Sequence, residues 1–174
     1  MQENKPISNI TAGLMIAAVL IVYSLILMLA DLSADQTMGY ITYGLFIIGL
    51  IVVIGMHAKA NNNRLSFGNL FAFGFKTTAV TTIIFIIFMV ILNLVFPELK
   101  EKVYDVAREQ MESQGKLSDE QIDQGLTMMR KFFWVGLIGG SLIMMIIVGA
   151  IGSLIGAAVT KKNQVTPFDE PTSL

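Results

Sequence analysis

The sequence predicts an all-α integral membrane protein, a four-helix bundle with an extramembrane amphipathic helical hairpin between spans 3 and 4. Hydrophobic residues make up 54% of its 174 residues and charged residues only 14%, whereas a typical soluble domain carries about 25% charged residues. Mean hydropathy is correspondingly high, at +0.68. Four long apolar stretches follow one another, and one densely charged segment separates the third from the fourth.

Each apolar stretch is long enough to cross a bilayer as a helix. A hydrocarbon core of about 30 Å requires about 20 helical residues, and a backbone in lipid must satisfy its own hydrogen bonds, which favours helices. The first stretch is longer than the apolar part of a signal peptide, so we expect an uncleaved span. The predicted spans cover residues 10–30, 39–56, 70–96 and 132–160. They form one membrane domain, residues 1–162, and the polar tail of residues 163–174 is predicted to be disordered.

Basic residues in the short connections predict the orientation. Lys59 and Arg64 lie between the second and third spans, and Lys161 and Lys162 follow the fourth. Because such residues favour the cytoplasmic side, we expect both chain termini in the cytoplasm and the charged segment outside. That segment carries six Lys and Arg residues of its own, which count against this orientation and leave its side of the membrane open.

The charged segment, residues 97–131, begins with a predicted amphipathic helix. Pro97 suits the first turn of a helix, where its missing N–H is no loss, and Gly115 suits a helix end. An apolar stripe between them has helical spacing: Leu99, Val103, Val106, Ala107 and Met111.

A second amphipathic helix is predicted from Ser118 onward. Ser118 and Gln121 fit a capping box, and Leu117 and Ile122 are placed for a hydrophobic staple. No proline follows before the fourth span, so we expect this helix to run directly into that span. The charges of the hairpin are typical of a solvated surface, and partner binding is the alternative interpretation.

Several segments together resemble a known family. The stretch RLSFGNLFAFGFK at residues 64–76, the FPE at residues 96–98, the hairpin sequence REQMESQGKLSDEQIDQ and the glycine-rich last span resemble bacterial membrane proteins of domain-of-unknown-function family 4199. The resemblance covers residues 10–162. It implies a four-helix protein of a Gram-negative inner membrane, and it implies no activity.

Lys76 is an ionisable residue within an apolar helix. It lies near the expected cytoplasmic end, close to Arg64 and Lys59. A lysine near a helix end can extend its ammonium group to the interface, so we favour an anchoring role. Contact of Lys76 and Arg64 with a lipid headgroup, a substrate or a partner is the alternative.

The third span also carries a threonine stripe, Gly74-x-x-x-Thr78-x-x-x-Thr82. Small polar residues at this spacing let membrane helices approach closely and form hydrogen bonds. We therefore favour a role for the stripe in helix packing. The alternatives are that it lines a polar path or contacts a partner or lipid. Asn93 is the only amide of this span and is expected to bridge two helices. Contact with a partner or with lipid is the alternative for Asn93 as well.

The fourth span contains glycines four residues apart. Such spacing is typical of helix contacts in membranes, either within one bundle or between subunits. The candidate packing residues are Gly136, Gly140, Gly152 and Gly156.

The composition argues against most catalytic sites. The chain has no cysteine and one histidine, His57, which is too few ligands for a typical zinc site. It contains no HExxH, GxSxG or phosphate-loop motif. We therefore predict no catalytic residue, no cofactor and no metal. A net charge of −1 gives no basic field that would attract nucleic acid.

The resulting prediction is a non-enzymatic membrane protein, a small subunit or scaffold that contacts another membrane or envelope protein through residues 97–131. The alternative is a small transporter or pore, assembled as a homo-oligomer, in which Lys76 and the threonine stripe line a path. An enzyme of lipid or envelope chemistry is a third hypothesis, disfavoured by the missing motifs.

Overall fold

The computed structural model describes residues 6–33 and 35–161. This part of the chain is helical and contains no strand, which confirms the predicted all-α fold class. Four helices are long and apolar enough to cross a membrane: Asn9–Leu29, Thr37–Ala60, Phe67–Val95 and Phe133–Val159. The tail of residues 163–174 lies outside the described residues.

Side-chain caps begin the first three helices, which are α1 (Asn9–Leu29), α2 (Gln36–Ala60) and α3 (Phe67–Val95). The hydroxyl of Ser8 accepts a hydrogen bond from the N–H of Thr11, and the Asp35 carboxylate accepts from the N–H of Thr37. The Ser66 hydroxyl accepts from the N–H of Asn69 in the same way. These bonds satisfy amides that a helix start leaves without partners.

Two helices extend beyond the predicted spans. Helix α2 continues past the predicted residues 39–56 as far as Ala60, and α3 begins at Phe67 rather than at residue 70. A helix tolerates charged residues such as Lys59 at its end, where the basic group complements the helix dipole. Absence of charge therefore marks the apolar core of a span better than it marks the helix end.

The hairpin forms as the sequence predicts. Its helices are α4 (Glu98–Ser113) and α5 (Asp119–Lys131), and Gly115 takes a left-handed conformation between them, with φ of 61°. The capping box at the start of α5 is complete, because the Ser118 N–H also donates to the Gln121 side chain.

The prediction that the second hairpin helix runs directly into the fourth span is wrong. Helix α5 ends at Lys131, and Phe132 breaks the helix. A short turn, α6 (Phe133–Val135), a π-helical turn (Gly136–Gly140) and α7 (Ser141–Val159) follow. The three glycines of the π turn weaken the preference for a regular α-helix.

The four spans form a closed ring. Helix α3 packs against α1 and α7, α7 packs against α2, and α2 closes the ring against α1. Large apolar side chains fill the centre, among them Leu20, Phe46, Leu50 and Ile54. Many others point outward, such as Ile87 on α3, which is 54% exposed. Such an outer surface suits lipid rather than water.

Candidate functional site

The threonine stripe of α3 lies inside the bundle. Thr77, Thr78, Thr81 and Thr82 are all buried. The Thr81 hydroxyl lies 3.0 Å from the Thr77 carbonyl oxygen and 3.3 Å from that of Gly13 on α1. The other three hydroxyls have no hydrogen-bond partner among the described residues.

Small residues bring α3 and α7 into close contact at this stripe. A Cβ atom on Gly149 would overlap the Thr78 side chain, and one on Gly74 would lie 2.7 Å from the Ser153 hydroxyl. Gly74, Thr78, Gly149 and Ser153 are called the α3–α7 seam below. At this seam, the stripe serves as a helix contact.

Lys76 and Arg64 lie apart from the threonines. Lys76 is exposed on the outer surface of α3, and two helical residues rotate it by about 200° from Thr78. Arg64 is exposed in the connection between α2 and α3. The pore hypothesis requires Lys76 and the threonine stripe to line a common path. Within one chain they do not.

The four candidate packing glycines divide into two pairs. A Cβ atom on Gly152 would lie 3.0 Å from Leu50 Cδ1, and one on Gly156 would lie 2.6 Å from Ile54 Cδ1, so both contact α2. A Cβ atom on Gly136 or Gly140 would meet no other described atom within 4 Å. Only the second pair, Gly152 and Gly156, packs within the described bundle.

Asn93 is buried near the hairpin end of α3, with 5% of its surface exposed. Its side-chain amide donates to the Met89 carbonyl oxygen at 2.9 Å. This bond stays within α3, so it does not bridge two helices as the sequence led us to expect. It uses one of the two amide N–H groups and leaves the other for a second acceptor.

A cavity of about 550 Å³ adjoins Asn93. It lies between the hairpin ends of the four spans, and the hairpin covers it through Leu99, Val103 and Met129. Gly136, at the start of the π turn, forms part of the wall. Sequence reasoning missed this cavity because its wall combines residues from distant parts of the chain, and Asn93 was the only wall residue that the sequence singled out.

The hairpin is held together by a small core and two ion pairs. Tyr104, Ile122 and Leu126 are buried between α4 and α5. Two arginine–carboxylate pairs link the helices: Arg108 with Asp123, at 2.5 Å, and Arg130 with Glu101, at 2.9 Å.

These contacts alter the titration of two hairpin groups. The hydrogen bond to Asp123 is the main reason that the pKa of Arg108 rises above its usual value. Burial raises the pKa of the Tyr104 phenol, although the nearby Arg130 charge acts in the opposite direction. The Arg130 guanidinium lies 4.4 Å from the centre of the Tyr104 ring. Both helices therefore contribute to one connected set of contacts.

The hairpin is also fixed to the rest of the chain. Lys102 of α4 forms an ion pair with Asp31 in the first connection. The Lys100 ammonium lies 4.7 Å from the centre of the Trp134 ring, at the start of the fourth span. The hairpin and the first connection therefore share one end of the bundle.

An acidic stripe runs along the exposed face of α4. Its members are spaced by three or four residues, which places them on one side of a helix, and all are exposed. They are Glu98, Glu101, Asp105, Glu109 and Glu112. Among the described residues, Glu98, Asp105 and Glu109 take part in no ion pair.

His57 packs against other residues at the end of the bundle opposite the hairpin. Its ring stacks on Phe73 with 3.8 Å between ring centres, and Nδ1 lies 3.1 Å from the Ile7 carbonyl oxygen. The described residues contain no cluster of three His, Cys, Asp or Glu side chains that could hold a metal ion.

Comparison with known proteins gives one match. A family model described as "Protein of unknown function (DUF4199)" matches residues 11–162. No similar curated protein and no similar solved structure was found.

Proposed function

The chain belongs to the DUF4199 family of proteins of unknown function, and we propose that it is a non-enzymatic membrane subunit that binds a partner protein through its hairpin. The acidic stripe on α4 is the proposed contact surface, and the partner is a membrane or envelope protein with a basic surface. The observation that carries this proposal is an ordered, anchored hairpin that exposes five carboxylates along one helix face.

The proposal places the protein in a bacterial inner membrane with both termini in the cytoplasm and the hairpin outside. Lys59 at the end of α2 and Arg64 in the following connection support this orientation, because both lie at the end of the bundle opposite the hairpin. Short basic connections favour the cytoplasmic side. The partner then meets the hairpin on the outer surface of the membrane.

The energetics of α4 favour a basic partner over simple solvation. Like charges three or four residues apart destabilise a helix by about 0.2–0.5 kcal/mol per pair. The stripe contains four such neighbouring pairs. Hairpin arginines already pair with Glu101 and Glu112, so Asp105 and Glu109 form the neighbouring pair in which neither carboxylate has an ion-pair partner among the described residues. Basic groups of a partner would offset this repulsion. A membrane surface is a poor alternative, since anionic lipid attracts basic segments rather than acidic ones.

The test is the composition of complexes extracted from native membranes in mild detergent. In the stripe variant, Asp105→Asn with Glu109→Gln, we expect a partner polypeptide to be retained about threefold to tenfold less than in the wild type, because exposed ion pairs contribute about 0.2–1 kcal/mol each. The control, Asp119→Asn with Glu120→Gln, changes the net charge equally but lies off the stripe. It should retain the partner.

Removal of the hairpin gives the stronger version of this test. Replacing residues 99–130 with a Gly-Ser linker should leave membrane insertion intact, because the four spans do not depend on the hairpin for their apolar length. The partner should then be lost completely. Equal recovery of the same complex from the wild type and the deletion would contradict the proposal.

A further inference from the structure

The cavity beneath the hairpin has an uncharged wall. Apolar side chains dominate this wall, and four of them are methionines, whose flexible thioethers adapt to irregular ligands: Met28, Met89, Met129 and Met145. A charged group buried here would have no ion-pair partner in the wall, which makes its desolvation costly. The part of a ligand that enters the cavity must therefore be uncharged, and the apolar side chains that dominate the wall favour an apolar group.

The cavity extends well into the membrane-spanning part of the bundle. Phe85 forms part of its wall and lies ten residues before Val95, the last residue of α3. At 1.5 Å per residue, that depth is about 15 Å, roughly half of a 30 Å hydrocarbon core. This depth suits an elongated apolar group that enters from the half of the membrane nearer the hairpin.

The cavity opens at the hairpin end of the bundle, where its wall includes exposed residues of two spans. Gly39 and Gly136 lie in the first turns of the second and fourth spans, and the other exposed wall residues, Ser33 and Phe132, lie just outside the spans. A Cβ atom at either glycine would meet no other described atom within 4 Å, so both leave space between the helices. The roof of the cavity is closed by Leu99, Val103 and Met129 of the hairpin.

Two polar features mark the outer part of the cavity as a binding site. Only 5% of the Asn93 surface is exposed. The second N–H of its side-chain amide has no acceptor among the described residues. The π turn Gly136–Gly140 borders the same space through Gly136. Turns of this kind inside helices frequently occur at functional sites.

We propose that this cavity binds one acyl chain of a bilayer phospholipid. The chain enters between α2 and the fourth span and extends toward Phe85, while its ester carbonyl oxygen accepts a hydrogen bond from Asn93. The volume of about 550 Å³ falls within the range of about 300–1,000 Å³ typical of ligand sites. This inference concerns the inner side of the hairpin and is independent of the partner contact proposed for its outer face.

Photo-crosslinking in liposomes tests the proposal. The wild-type protein is reconstituted in phosphatidylethanolamine and phosphatidylglycerol with a phospholipid that carries a diazirine near the end of one acyl chain. We expect crosslinks on cavity residues such as Phe85 and Met145. In Met89→Trp and, separately, Ser141→Phe, a large side chain fills the cavity from α3 or from α7, and these crosslinks should fall at least fivefold.

The matched control is Ile91→Trp, which adds the same ring on the outer surface of α3, where Ile91 is 54% exposed. It should leave the cavity crosslinks unchanged. Asn93→Leu keeps the side-chain size but removes the donor, and we expect about threefold less crosslinking, as for the loss of one hydrogen bond.

Two results would overturn the proposal. In the first, crosslinks are confined to outward residues such as Ile87, or cavity crosslinks in both cavity-filling variants are as strong as in the wild type. Either outcome would show that the probe reports only surrounding bilayer lipid. Cavity labelling by a diazirine fatty acid, with none by the phospholipid probe, would show that the cavity excludes phospholipid chains.

Discussion

Replacing Gly149 with alanine is expected to lower the free energy of unfolding of the bundle by about 3 kcal/mol, as in strongly overpacked cores. The new Cβ atom would overlap the Thr78 side chain, lying 2.5 Å from its Oγ1 atom and 2.9 Å from its Cβ atom. Thr78 cannot readily move away, because a β-branched side chain has few rotamers in a helix. Helices α3 and α7 would have to separate along the α3–α7 seam.

Reversible unfolding in mixed detergent micelles measures this effect. Gly140→Ala is the matched control, since its Cβ atom would meet no other described atom within 4 Å. The double variant Gly149→Ala with Thr78→Ala should recover part of the lost stability, because it removes the obstructing hydroxyl and methyl groups and leaves only the Cβ atom of residue 78 as a close contact. Equal stability of Gly149→Ala and Gly140→Ala would show that the two helices do not meet at this seam.

Replacing Ile122 with aspartate is expected to unfold the hairpin while the four spans remain folded. Ile122 is 2% exposed and packs with Tyr104 and Leu126 in a small core. An unpaired buried carboxylate costs several kcal/mol, about as much as so small a core can provide. The hairpin core is separate from the core of the bundle, so the damage should remain local.

Amide hydrogen exchange resolves this local effect. In Ile122→Asp, protection in α4 and α5 should fall about a hundredfold, whereas protection in α3 should be unchanged. Gln124→Asp adds the same carboxylate at an exposed position of α5 and should alter neither region. Loss of protection throughout the spans would mean that the hairpin and the bundle unfold together.

Local sequence signals predicted the helices of this fold well, because these signals depend on neighbouring residues. Ser118 and Gln121 form the predicted capping box, and Pro97 directly precedes α4. The four apolar stretches become the four long helices. A helix in lipid satisfies its own backbone, so length and apolarity were sufficient evidence.

The cavity and the π turn could not be predicted in this way, because they depend on how distant helices meet. Asn93 and Gly136 are far apart in the sequence but line the same space. The pore alternative places Lys76 and Thr78 on one path. A rotation of about 100° per residue already counts against it, because it puts the two side chains on different faces of α3.

The side of the membrane that the hairpin occupies is the central claim to test, and cysteine labelling tests it most directly. The chain contains no cysteine, so one introduced thiol reports one position. Gln114→Cys lies between the hairpin helices, and Asn69→Cys lies at the opposite end of the bundle, in the first turn of α3; both positions are exposed. In intact spheroplasts, a membrane-impermeant maleimide should label Gln114→Cys, whereas Asn69→Cys should react only after the membrane is opened. The reverse pattern would place the hairpin in the cytoplasm and contradict the proposed contact with a partner on the outer surface.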